Sequence, residues 1–175
     1  MKVSPFIRYW LPALGWAVLI FCGSGNGLSA AHTSRFLVPM LHALLPFLSD
    51  ESLDWVHFAI RKCGHMAEYF VLTVLLWRGL TAFSPDARLH WRARPAFFAW
   101  ALAVTYAASD EWHQGFTSSR QASVRDVLID AVGASIGLLG ALVLAWWRRL
   151  RVVRSGAIPS TAPKPQPTVL PLKAA

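Results

Sequence analysis

The chain has 175 residues, a formal net charge of +8 and nine tryptophans, and 55 % of its residues are hydrophobic. One compact domain fits that length, and a water-soluble one would need more polar surface to cover its core. The basic residues gather just beyond apolar runs rather than in a basic stripe with interleaved aromatics, which excludes nucleic-acid binding and is the charge pattern that flanks membrane spans.

In chain order, Tyr9 to Gly23 is apolar and follows Lys2 and Arg8. It predicts a first membrane helix reaching towards Asn26. Ser29-Ala30-Ala31 resembles a small-residue cleavage site, so a signal peptide is the competing reading, with a retained span favoured. Residues 29 to 61 are amphipathic. Pro39 and Pro46 predict short pieces over Phe36 to Leu48. Ser49 or Asp50 then offers an N-cap, with Asp50, Glu51 and Asp54 in or near a first turn. Leu53, Val56, His57 and Ile60 follow at helical spacing, predicting a surface-lying or re-entrant element.

A second span is predicted from Gly64 to Phe83, a polar loop over 84–94, and a third span from Pro95 to Trp112. A fourth runs from Asp126 to Trp147 and is rich in glycine. Residues 148–175 form a basic, then Pro-containing tail, with disorder expected after Arg154. Cys22 and Cys63 have neither a disulfide framework nor a metal knuckle and read as small buried hydrophobes. The expected fold is all-α, a polytopic membrane bundle of about four transmembrane helices plus the outer amphipathic segment.

Charge sets the expected orientation. With both termini and the 84–94 loop in the cytoplasm, only Arg35, Arg61, Lys62, Arg120 and Arg125 of the seventeen Lys and Arg lie outside, and of the nine acids all but Asp86 do. The expected arrangement is multi-pass, with both termini inside.

Ionisable groups at membrane depth are expensive and by default mark a site. Lys62, His65, Glu68 and Tyr69 share one helical face. Tyr106, Asp110 and His113 form a comparable stripe, with Gln114 at its edge and Glu111 expected to turn away. Asp126 and Asp130 precede Gly133, Gly137 and Gly140 along one side of the last helix, where the glycines permit close packing.

Three chemistries suit this set. Two imidazoles and two carboxylates are a donor set for zinc or manganese, although their spacing matches no standard metal motif. His65 or His113, oriented by Glu68 or Asp110, is placed as a general base. Lys62, Arg120 and Arg125 suit an anionic headgroup beside an apolar groove. The structural alternative is an ion-pair network in which Glu68 and Asp110 neutralise Lys62 and Arg120 and fix the order of the helices. More than one polar side chain from each of three helices exceeds what assembly requires, which favours a site.

Lys62-Cys63-Gly64-His65-Met66-Ala67-Glu68-Tyr69 resembles the first signature of the VanZ-like membrane protein family. Ser109-Asp110-Glu111-Trp112-His113-Gln114-Gly115-Phe116, followed by Arg120, Asp126 and the Gly133/Gly137 pair, resembles its second. The resemblance covers about residues 10 to 147. It implies a small bacterial polytopic membrane protein, from a family named after a member associated with teicoplanin resistance. Position by position it marks Lys62, His65, Glu68, Tyr69, Asp110, Glu111, His113, Gln114, Arg120 and Asp126. Asp130 departs from the family, which commonly has Asn there.

The function expected on this basis is to act on, or bind, an amphiphilic envelope component at the outer leaflet. His65 and His113 would transfer protons, Glu68 and Asp110 would orient them or help hold a metal, and Lys62 and Arg120 would contact an anion. Membrane lipids and a homo-oligomer are the expected partners. The alternatives are a non-catalytic envelope scaffold or binding protein and a proton-coupled transporter element.

Overall fold

A computed structural model describes residues 4–24, 30–83, 93–116 and 123–154. The described residues form five α-helices: α1 (Pro5–Ser24), α2 (Ala30–Leu44), α3 (Asp50–Ala82), α4 (Ala93–Gln114) and α5 (Val124–Arg154). The chain divides into two compact units, Met1–Leu142 and Val143–Ala175. In the second, the Arg151 guanidinium carbon lies 6.0 Å from the centre of the Trp147 ring, one turn back along α5.

Helices α1 and α5 are long and apolar enough to cross a membrane, over Pro5–Ser24 and Val124–Trp147. On α1 the buried positions Ala13, Ile20 and Ser24 make one narrow stripe, while Leu11, Leu14, Val18, Leu19 and Phe21 face outward. Up to its middle, α5 repeats the pattern, exposing Leu128, Val132, Ile136 and Leu139. Both helices are therefore apolar on the outside as well as the inside, which water-soluble helices are not.

Two sequence expectations fail here. Helix α2 runs through Pro39 instead of breaking. Proline removes one i→i−4 bond, but Leu41 is buried and the following turn is held by the Leu45 N–H on Leu41 O at 2.8 Å. The re-entrant element and the second span are also not separate, because α3 is one helix of 33 residues, about 50 Å long. Its start is as expected: Ser49 is the N-cap, its hydroxyl accepting from the Ser52 N–H, with Asp50 and Glu51 in the first turn. No proline interrupts residues 50 to 82, and mid-helix Gly64 costs only about 1 kcal/mol relative to alanine. Residues 84–92, the end of the first span beyond Ser24, and the tail after Arg154 lie outside the described residues.

Small residues set how closely the helices approach. On α4, Ala96, Ala99, Ala103 and Ala107 are all buried, at spacings of three and four. On α5, a Cβ at Gly133 would sit 2.7 Å from Met66 Cα, and one at Gly137 would sit 2.9 Å from Phe70 Cα. Only glycine permits that backbone approach to α3. Gly140, by contrast, has the Phe70 ring at 3.9 Å and needs no such exemption. Aromatic donors complete the frame. Trp16 Nε1 donates to Glu68 O (2.9 Å), Tyr106 Oη to Ala17 O (2.7 Å) and Trp100 Nε1 to Ser135 Oγ (3.0 Å).

Candidate functional site

The alanine stripe of α4 continues at the same spacing into Asp110 and Gln114, so the seam that packs the helix ends in a buried carboxylate and a buried amide. Asp110 is 4 % exposed. Its Oδ2 accepts from Ser24 Oγ at 2.5 Å, across from the end of α1, and from Gln114 Nε2 at 3.0 Å. Its Oδ1 is buried with no hydrogen-bond partner.

From α5, Asp130 is 3 % exposed, and its Oδ1 is likewise without a hydrogen bond. That oxygen lies 3.8 Å from His65 Nδ1, and the same nitrogen lies 3.9 Å from Glu68 Oε2. Tyr69 is fully buried and its hydroxyl has no partner, although Asp110, Asp130, Tyr106 and Glu68 all lie within electrostatic range of it. Buried polar atoms are nearly always satisfied, so three orphans facing one region are a concentration that calls for a cause.

On α3, His65 reaches Asp130 of α5, the Tyr69 ring lies 6.5 Å from that of Tyr106 on α4, and Glu68 is part-exposed beside His65. Lys62 Nζ lies 2.6 Å from Asp126 Oδ1, so its charge is matched within the protein. Contrary to the expectation that it turns away, Glu111 is buried, and its Oε1 accepts the Ser123 N–H at 2.7 Å. That contact holds the chain entering α5 against the end of α4. His113 is exposed and stacks on Phe21, with ring centres 4.8 Å apart, and forms no ion pair with Asp110. Arg120 lies outside the described residues. Cys22 and Cys63 are free but exposed, not buried. Their helices present those faces outward, an arrangement that spacing alone does not reveal.

Asp130 has Glu68, Asp110, Glu111 and Asp126 within electrostatic range, making five carboxylates in one neighbourhood. Among the described residues Lys62 is the one primary amine facing them. This balance favours a proton or a hydrogen-bond-donating group over an anion at the cluster. Among the described residues no group of three or more His, Cys, Asp and Glu side chains is placed to hold a metal ion. Ser24 and Ser123 were not among the predicted site residues. Ser24 closes an apolar run, where a hydroxyl reads as a helix end rather than as a donor to a carboxylate 86 positions on.

Fold and site together define an all-α protein with membrane-length apolar helices and a buried, acid-rich polar cluster where four of its helices meet. The chain belongs to the VanZ/LLP1 family, whose model matches residues 9–146. No curated protein and no solved structure matches it.

Proposed function

We propose that this VanZ-like protein is a multi-pass protein of the bacterial inner membrane, and that its buried cluster binds or acts on an amphiphilic component of the cell envelope from the outer side. The carrying observation is the set of three orphaned atoms, Asp110 Oδ1, Asp130 Oδ1 and Tyr69 Oη, beside the buried carboxylates of Asp110, Glu111 and Asp130 and the partly exposed ones of Glu68 and Asp126. Such groups are costly to bury and are kept where a ligand or a proton uses them. Outward-facing apolar residues on α1 and α5 support the membrane placement, as does the family. The contacts of Trp16, Ala17 and Ser24 with the other helices support α1 as a retained span rather than a removed leader.

In this reading His65, between Asp130 and Glu68, moves protons to and from the ligand's polar group. Tyr69 and Asp110 supply one donor and one acceptor to it. His113 stacks at the rim. A link to teicoplanin susceptibility is the phenotype to test first. The full chain is expressed in a susceptible host and compared with His65→Gln, Asp130→Asn and Tyr69→Phe at equal protein level. Loss of the wild-type phenotype in these variants supports the site, and an unchanged phenotype in all three overturns it. The Lys62–Asp126 pair favours a second reading, a scaffold held by ion pairs, in which only Lys62 and Asp126 variants lose function, together with the fold.

A further inference from the structure

Beside the buried cluster, between the outer arm of α3 and the first turns of α5, lies an open groove of about 650 Å³. It is lined by Glu51, Asp54, Trp55, Phe58, Arg125 and Ile129. Trp55 and Phe58 meet edge to face, with centroids 6.0 Å apart and planes at 84°. Both are largely exposed, as are Glu51, Asp54 and Arg125. Among the described residues none of these three charged side chains forms an ion pair. One groove thus presents two unmatched carboxylates and an unmatched guanidinium around an aromatic corner. Ile129 lies at its edge, and the exposed Leu128, Val132 and Ile136 of α5 run away from it.

We propose that this groove binds the headgroup of a phosphoethanolamine lipid. The primary ammonium is the right size for the aromatic corner and donates hydrogen bonds to Glu51 and Asp54. The phosphate one ethylene unit away meets the Arg125 guanidinium, which holds phosphate oxygens in a fork. The acyl chains follow the apolar face of α5 into the bilayer. Two acids to one base disfavour an anionic headgroup. A trimethylated amine has no N–H for the carboxylates, so choline lipids bind less well. This inference rests on the membrane placement proposed above but not on the chemistry of the buried cluster.

The full chain in detergent is mixed with equimolar phosphatidylethanolamine, phosphatidylcholine and phosphatidylglycerol of identical acyl chains, and retained lipid is read by native mass spectrometry. One ethanolamine lipid is expected to be retained, roughly tenfold over either competitor. Glu51→Gln with Asp54→Asn reduces it to the choline level, Arg125→Gln lowers retention of all three, and Trp55→Phe keeps the preference. These are surface substitutions, and an unchanged circular dichroism spectrum confirms the fold. Equal retention of choline lipid, dominance of the glycerol lipid, or an unaltered preference in the double variant each overturns the proposal. Asp130→Asn separates the two ideas, because it disables the buried cluster and leaves ethanolamine-lipid retention intact.

Discussion

Lys62 Nζ of α3 lies 2.6 Å from Asp126 Oδ1 at the start of α5, with both side chains about three-quarters buried. The pair fixes the register of the two helices at the level where the glycines of α5 begin to approach α3. Removing either partner leaves a partly buried charge uncompensated, whereas removing both does not. Lys62→Met and Asp126→Asn are each expected to cost about 1–3 kcal/mol, and the double variant less than their sum. Denaturation in mixed micelles across the four-protein cycle measures the coupling, and strict additivity contradicts it.

The glycines of α5 differ in what surrounds them. Gly133→Ala forces a Cβ into the Met66 backbone and is expected to destabilise by about 1–3 kcal/mol. Gly140→Ala meets only the Phe70 ring and is expected to be neutral or better. Gly64, with nothing within 4 Å of its Cβ position, is expected to gain up to about 1 kcal/mol as alanine. The Gly64 result bears directly on α3, since a chain that turned between an outer element and a span would lose stability there instead.

Tyr69→Phe removes a hydroxyl that no protein group satisfies. Stability is expected to stay level or rise by up to about 1 kcal/mol, while the function served by the cluster falls. Ser24→Ala acts in the opposite sense, because it takes a donor from the buried Asp110 carboxylate and is expected to cost about 1–3 kcal/mol. Parallel stability and phenotype measurements on the two variants separate a ligand-facing group from a supporting one. A large loss of stability in Tyr69→Phe contradicts this assignment.

Single-cysteine variants report the membrane placement. Cys63, exposed on α3 beside the polar cluster, is expected to react with a membrane-impermeant maleimide in intact spheroplasts. Cys22, exposed among Leu19 and Phe21 on an apolar face, is expected to react only with a lipophilic reagent. An alkaline phosphatase fused at the C-terminus is expected to be inactive, and activity there reverses the orientation.

Much of this arrangement was legible from periodicity and charge. The Lys62, His65, Glu68 and Tyr69 face, the Ser49 cap and the glycine seam of α5 all follow from residue type at fixed spacing, which is local information. The continuity of α3 was not legible, because Arg61, Lys62 and Gly64 together look like a break. Lys62 is itself a good helix former, and its charge is met by Asp126, 64 positions away. The fate of the second signature was hidden for a related reason. Asp110, Glu111 and Gln114 are all buried, on more than one side of α4, because two other elements meet that helix end: α1 through Ser24 and the entry to α5 through Ser123. A single helical wheel shows one face, and this end has two.

The unbroken run of α3 has a mechanical meaning. At about 50 Å it outreaches the roughly 30 Å hydrocarbon layer of a bilayer, and the same backbone carries Trp55 near one end and His65 and Tyr69 in its midst. A stiff rod passes on rotation with little loss. A few degrees of tilt at the Trp55 end would reappear as a shift of the imidazole, so the contacts of Lys62 with Asp126 and of Met66 and Phe70 with the glycines of α5 clamp the rod at the level of the cluster.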